Sequence, residues 1–339
     1  MKLVRRGGAV AATFAVTAAF VLFPLVFSNP TTTSIAFFAL VYMVSATSWN
    51  VFSGLSGYIA LGHAVFFGSG AYTLAVAAQK LHMGAGWTPL ALVPLAGAVA
   101  GGIAIPFGLI ALRTRRHTFV VITIAIFFIF QLLASNLSFT GGTSGLQTPF
   151  PLWTAVGYNQ RFYYVALTIL VATVAVAVVV RRSRLGLQLL AIRDDEDRAL
   201  GLGVRTARVK LFAFTLSAIP IGMVGAVYTY YLGQIFPQFA FDPLFDITIA
   251  LMAFFGGLAT IVGPLLGALV LESMQQEFTL RFSAGGGIYL IVYGALFLVV
   301  ILLMPRGVVP TLRDALARLR ARRIGPLGVQ VQTPLRSRS

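Results

Sequence analysis

The 339-residue chain contains no cysteine. Disulfide frameworks, thiol nucleophiles and cysteine-ligated metals are therefore excluded. Charge is scarce as well: 10% of residues are charged and 58% are hydrophobic, with a mean hydropathy of +0.90. Soluble domains carry about a quarter charged residues, so the composition is that of an integral membrane protein. The alternating dyads of a β-barrel are missing. Apolar runs of about 20 residues then read as spanning helices, because lipid offers backbone groups no other partners. Only three lysines occur, Lys2, Lys80 and Lys210, and none closes a G-x-x-x-x-G-K-[ST] loop. The chain thus cannot cradle nucleotide phosphates in that way. His63, His82 and His117 are too scattered for a metal cluster. No catalytic residue, metal or cofactor is expected in this chain. Acids number nine against 25 bases, a net charge of +16. In a membrane protein that excess orients loops, and no nucleic-acid partner is expected.

Ten apolar segments are present, at about 9–27, 33–52, 58–78, 88–112, 118–135, 162–180, 210–232, 243–256, 259–279 and 286–304. The first runs longer than a typical secretory h-region and ends FSNP without an A-x-A-like site, so it reads as a retained span. Ten crossings with both termini cytoplasmic would place 22 of the 25 bases inside, leaving only Lys80, Arg161 and Arg281 outside. That asymmetry supports the orientation. The expected fold is an all-α polytopic bundle, with a transmembrane domain over 1–310 and a basic cytoplasmic tail over 311–339. Anionic membrane lipid is the tail's default partner. Segments 243–256 and 259–279 are read either as two crossings or as one re-entrant pair, a choice on which charge is silent.

One long central run is polar. Residues 181–210 hold eight Lys/Arg and four consecutive acids, Asp194 to Asp197, between two apolar segments. This reads as a docking surface on one face of the membrane. The acids favour the positive end of a short helix, and Gly201 or Gly203 would stop it. Two other stretches, 53–72 and 256–272, are too rich in glycine for a straight helix. Broken helices at that depth are tolerated where protein buries them or a cavity is lined. Small residues four apart (Ala218, Gly222 and Ala226; Gly97 and Gly101; Gly263 and Gly267) suit close helix packing. His63, Asp246, Glu272 and Glu277 are the ionisable groups in or near apolar runs, where such groups are costly and often functional.

In chain order, SWNVFSGLSGYIALGHAVFFGSGAY, IPFGLIALRTRRHTFVVITIAIFFIF, SFTGGTSGL, LGLQLLAIRDDEDRALGLGV, FFGGLATIVGPLLGALVLE and MPRG resemble the branched-chain amino-acid permease family of ATP-binding-cassette importers, the LivM-type subunit being the closer branch. The resemblance covers roughly residues 33–310. It implies a multi-pass subunit of the bacterial inner membrane that works with cytoplasmic ATPase subunits, a second related permease and an extracytoplasmic solute-binding protein. ATP would be used by the partner subunits. It also implies that 181–210 docks on the ATPase through Arg193, Asp194, Asp195, Glu196, Ala199, Leu202, Gly203 and Val204. Arg198 stands where the family often has alanine. Asn50, Ser56, Tyr58, His63, Thr143 and Ser144 are the expected translocation-path residues. The rival readings are a proton-coupled secondary transporter and a passive channel for a small polar solute.

Overall fold

The computed structural model describes residues 18–27, 29–282, 294–295 and 307–311. The tenth apolar segment, apart from 294–295, the first basic residues and the tail from 312 onward lie outside the described residues. What is described is almost wholly helical. Helix α1 covers 18–26, α2 Pro30–Trp49, α3 Ala64–Lys80, α4 Val93–Ala111, α5 Arg116–Asn136 and α6 Ala155–Arg182. Two short helices follow, α7 Arg184–Asp194 and α8 Glu196–Gly201. Beyond them come α9 Thr206–Leu232, α10 Pro237–Ala240, α11 Pro243–Gly256 and α12 Val262–Phe282. Among the described residues, six helical stretches are long and apolar enough to cross a membrane: Pro30–Gly54, Thr88–Ala111, Arg116–Asn136, Ala155–Arg182, Thr206–Leu232 and Pro237–Gly256.

Long helices that follow one another in the chain alternate in direction between two chemically distinct ends. One end carries Arg113, Arg115, Arg116 and the α6–α9 connection. The other carries Lys80 and Arg161, whose guanidinium lies 4.4 Å from the Trp153 ring centroid. At this second end a two-residue strand β1, Leu146–Gln147, pairs antiparallel with β2, Gln234–Ile235. The Tyr230 hydroxyl both donates to Gly86 O at 2.8 Å and accepts from its N–H at 2.9 Å. Tyrosine and tryptophan gathered at one end of a bundle suit the membrane–water interface.

α9 is the central post, packed chiefly against α3 and α4. Its approach to α3 is set by two glycines: a Cβ on Gly70 would lie 2.0 Å from the Gly222 carbonyl oxygen. Small residues let backbones meet where lipid supplies no hydrophobic drive for association. α6 starts seven residues before the apolar run expected at 162, because Thr154 caps it, its Oγ1 accepting from Gly157 N–H at 3.3 Å. The segment expected at 58–78 is not one helix. After a π-helical turn, Asn50–Gly54, the chain leaves the helix at Gly57, which is left-handed at φ +73°, stays non-helical through about 57–62, and α3 begins only at Ala64. α11 and α12 form a hairpin whose turn, 257–261, lies at the basic end. Gly256 and Gly263 cross there so closely that a Cβ on Gly256 would sit 1.7 Å from Gly263 O.

Candidate functional site

The charged stretch folds as an elbow. Ser183 ends α6 in extended geometry and α7 turns away from it. Asp195 then caps α8, its carboxylate accepting from Arg198 N–H at 3.0 Å, and Glu196 and Asp197 occupy the first turn, where the helix dipole favours them. The helix closes on Gly203, which is left-handed at φ +84°. There Gly203 N–H donates to Leu200 O and Val204 N–H to Ala199 O, at 2.9 and 3.1 Å. Arg116, reaching from α5, donates to the carbonyls of Ile192 and Arg193 at 3.0 and 2.7 Å. A guanidinium there meets the negative end of α7.

The inner side of the elbow is tied to the bundle at one carboxylate. Glu196 Oε1 accepts from Lys210 Nζ of α9 at 2.6 Å, and its Oε2 accepts from the Tyr58 hydroxyl. Lys210 also donates to Tyr58 Oη at 3.1 Å and lies 4.3 Å from that ring's centroid. Burial pushes the Glu196 carboxyl up, but the Lys210 ion pair and the Tyr58 and Thr206 hydroxyls outweigh it, so the net direction is below the ordinary value. Glu196 is therefore held ionised. A second tie comes from Arg193, which donates to Gly54 O at 3.0 Å, its stem packing against Gly57. On the outer side, Leu187, Leu200 and Leu202 are exposed, Leu202 by 85%. Ala199 points inward at 2% exposure.

Both of these ties land on the break between α2 and α3, which is itself held by long-range polar contacts. Ser56 Oγ accepts from Tyr58 N–H at 3.2 Å. Asp246 of α11 caps α3, accepting from His63 N–H at 2.8 Å and Ala64 N–H at 3.1 Å. His63 Nε2 and Ser217 Oγ lie 3.1 Å apart, and the Ser217 hydroxyl also lies 2.8 Å from Phe214 O. Asn50 closes the other side of the break. Its Oδ1 accepts from Ala259 N–H at 2.9 Å and its Nδ2 donates to Thr260 O at 2.8 Å. That bidentate grip holds Ala259 at φ +57°, a conformation rare for alanine.

Four of the six residues expected along a path, Asn50, Ser56, Tyr58 and His63, thus lie along one break and are buried. Thr143 and Ser144 sit in an exposed 3-10 turn at the opposite end, away from the other four. The elbow residues Arg193, Asp194, Asp195, Glu196, Ala199, Leu202, Gly203 and Val204 form one continuous unit. Sequence reasoning missed Lys210, Arg116 and the capping role of Asp246. A lysine at the mouth of an apolar run, as Lys210 is, was the one available signal.

A family model described as branched-chain amino acid transport system / permease component matches residues 31–301. The high-affinity branched-chain amino acid transport system permease protein LivM of Escherichia coli (strain K12) is 28% identical over 314 residues, covering 84% of this chain and 71% of the relative. LivH of the same organism, a permease protein of the same transport system, is 24% identical over 283 residues, or 79% of this chain and 90% of its own. The ribose import permease protein RbsC of Bacillus subtilis (strain 168) is 26% identical over 151 residues, 43% of this chain and 47% of the relative. No solved structure matches this chain. With the match running across most of its spans and through the elbow, the chain belongs to the branched-chain amino-acid permease family of ATP-binding-cassette importers and is a multi-pass protein of the bacterial inner membrane.

Proposed function

We propose that this chain is one of two permease subunits in an ATP-driven importer, and that the α7–α8 elbow is the handle by which cytoplasmic ATPase subunits move it. The observation that carries this is the two-sided elbow. Its outer face offers exposed leucines to a partner, while its inner face joins Glu196 to Lys210 of α9 and Tyr58 of the α2–α3 break. A short helix held this way transmits displacement into two transmembrane elements at once. Alternating access then follows from force applied outside this chain, with no covalent chemistry within it and ATP consumed by the partner subunits.

The reading extends to ten crossings with both termini cytoplasmic, to a division at about residue 310 between permease domain and basic tail, and to a solute-binding protein on the far side. Branched-chain or other hydrophobic amino acids are the favoured solutes, in keeping with the relatives' names. Glu196→Lys, which sets a cation against Lys210, should abolish transport-coupled ATP hydrolysis in the reconstituted importer while membrane insertion is retained. Normal uptake by this variant would remove the handle.

A second reading, a proton-coupled transporter acting alone, draws on Glu272. Its side chain is 1% exposed, and its Oε2 has no hydrogen-bond partner among the described residues. It predicts uptake by the purified chain in liposomes under a pH gradient with no ATPase present.

A further inference from the structure

α5 meets α3 and α4 only lightly, and a wedge of about 600 Å³ opens between the three helices on the flank of the bundle. Its walls are apolar nearly throughout, with Val76, Val99, Ile103, Phe130 and Leu133 facing it. The small hydroxyls along the α3 wall are already committed to the backbone, Ser69 Oγ donating to Phe66 O and Thr73 Oγ1 to Ser69 O at 3.0 and 2.7 Å, while the buried Tyr72 hydroxyl on the same wall has no partner among the described residues. A single cation, Lys80, stands at the rim in the last turn of α3. The same helices carry exposed apolar side chains outside the wedge, Leu95 on α4 and Ile129 and Leu132 on α5, as lipid-facing helices do.

Length and charge select the occupant. Ser69 and Lys80 are eleven residues apart on one helix, about 16 Å at 1.5 Å per residue. Half of a bilayer's hydrocarbon core is about 15 Å thick. An amino-acid solute would carry both its charges into apolar walls that offer one cation at one end, and the unpaired ammonium would be strongly disfavoured. A phospholipid inserts only hydrocarbon and leaves its phosphate at the rim. We propose that this wedge holds one acyl chain of an anionic phospholipid from the leaflet on the Lys80 side, with its phosphate paired to the Lys80 ammonium.

The test is lipid retention by the full-length protein within its importer complex, read by native mass spectrometry after adding back phosphatidylglycerol or phosphatidylethanolamine. The wild type should retain one phosphatidylglycerol in preference to phosphatidylethanolamine. Lys80→Glu should reduce that retention roughly tenfold, since a favourable charge becomes a repulsive one. Ala77→Phe, which fills the wedge, should remove retention of both lipids, and Val99→Phe does the same from α4 should the first variant not fold. Equal retention by the wild type and all variants would overturn the proposal. So would loss of uptake in Tyr72→Phe together with equal lipid retention throughout, because the Tyr72 hydroxyl would then be serving a solute in the wedge.

Discussion

Replacing Lys210 with methionine keeps the side chain's length and apolar stem while deleting the ammonium. In the native protein that ammonium's side chain is 4% exposed and lies 2.6 Å from the Glu196 carboxylate, itself 22% exposed. Removing one partner of a fully buried ion pair costs about 3–5 kcal/mol, because the survivor remains charged and desolvated. Water still reaches Glu196 in part, and the Tyr58 hydroxyl remains as a donor. The loss expected here is therefore about 2–3 kcal/mol. At 1.4 kcal/mol per factor of ten, the anchored elbow falls roughly 30- to 150-fold in relative population. In proteoliposomes holding the complete importer, uptake per ATP hydrolysed should drop at least about tenfold. Basal hydrolysis, the part not coupled to transport, should continue, since the ATPase sites are untouched. Lys210→Met combined with Glu196→Gln leaves no orphan charge and should recover a large part of the loss, a non-additivity that only direct coupling produces. Unchanged uptake per ATP in Lys210→Met, or strict additivity in the double variant, would refute the anchor.

The remaining expectations concern the same frame. Because Glu196 titrates below its ordinary value of 4.5, its contribution to stability is complete above that value and is lost only as pH falls through the lower folded value. Thermal stability of the purified protein should therefore show no step from this group between about pH 6 and 8. Gly203→Ala introduces a Cβ at φ +84°, which should cost about 1–2 kcal/mol and weaken ATPase binding in a pull-down titration, whereas Gly203→Asn should cost less. Asp246→Ala removes the cap of α3 and should lower stability by about 1–2 kcal/mol, read as a drop in melting temperature, with Asp246→Asn intermediate. Asn50→Ala frees the strained turn at Ala259, and amide exchange at Ala259 and Thr260 should accelerate by about tenfold or more for each 1.4 kcal/mol of lost restraint.

Much of the frame was legible from composition and local pattern. Six of the spans followed from uninterrupted apolar runs, and the short α8 followed from acids at its start and a glycine at its end, all of them properties of neighbouring residues. The two glycine-rich stretches marked where helices break, and the structure places the non-helical 57–62 segment and the 257–261 turn inside them. Boundaries were less legible: α6 begins at Ala155 because of a capping threonine outside the apolar run.

Chain order alone settled that this protein lives in a membrane and that its one long polar stretch could not be buried in lipid, because transfer free energy depends on what each run of residues is made of. Which groups that stretch grips was decided only by folding. Tyr58 reaches Glu196 across 138 positions, His63 meets Asp246 across 183, and Asn50 holds Ala259 across 209. Hydrogen bonds and ion pairs act over a few ångströms of space, and separation along the chain carries no record of which distant side chains the packing of α9 against α3 and α4 will bring within that range.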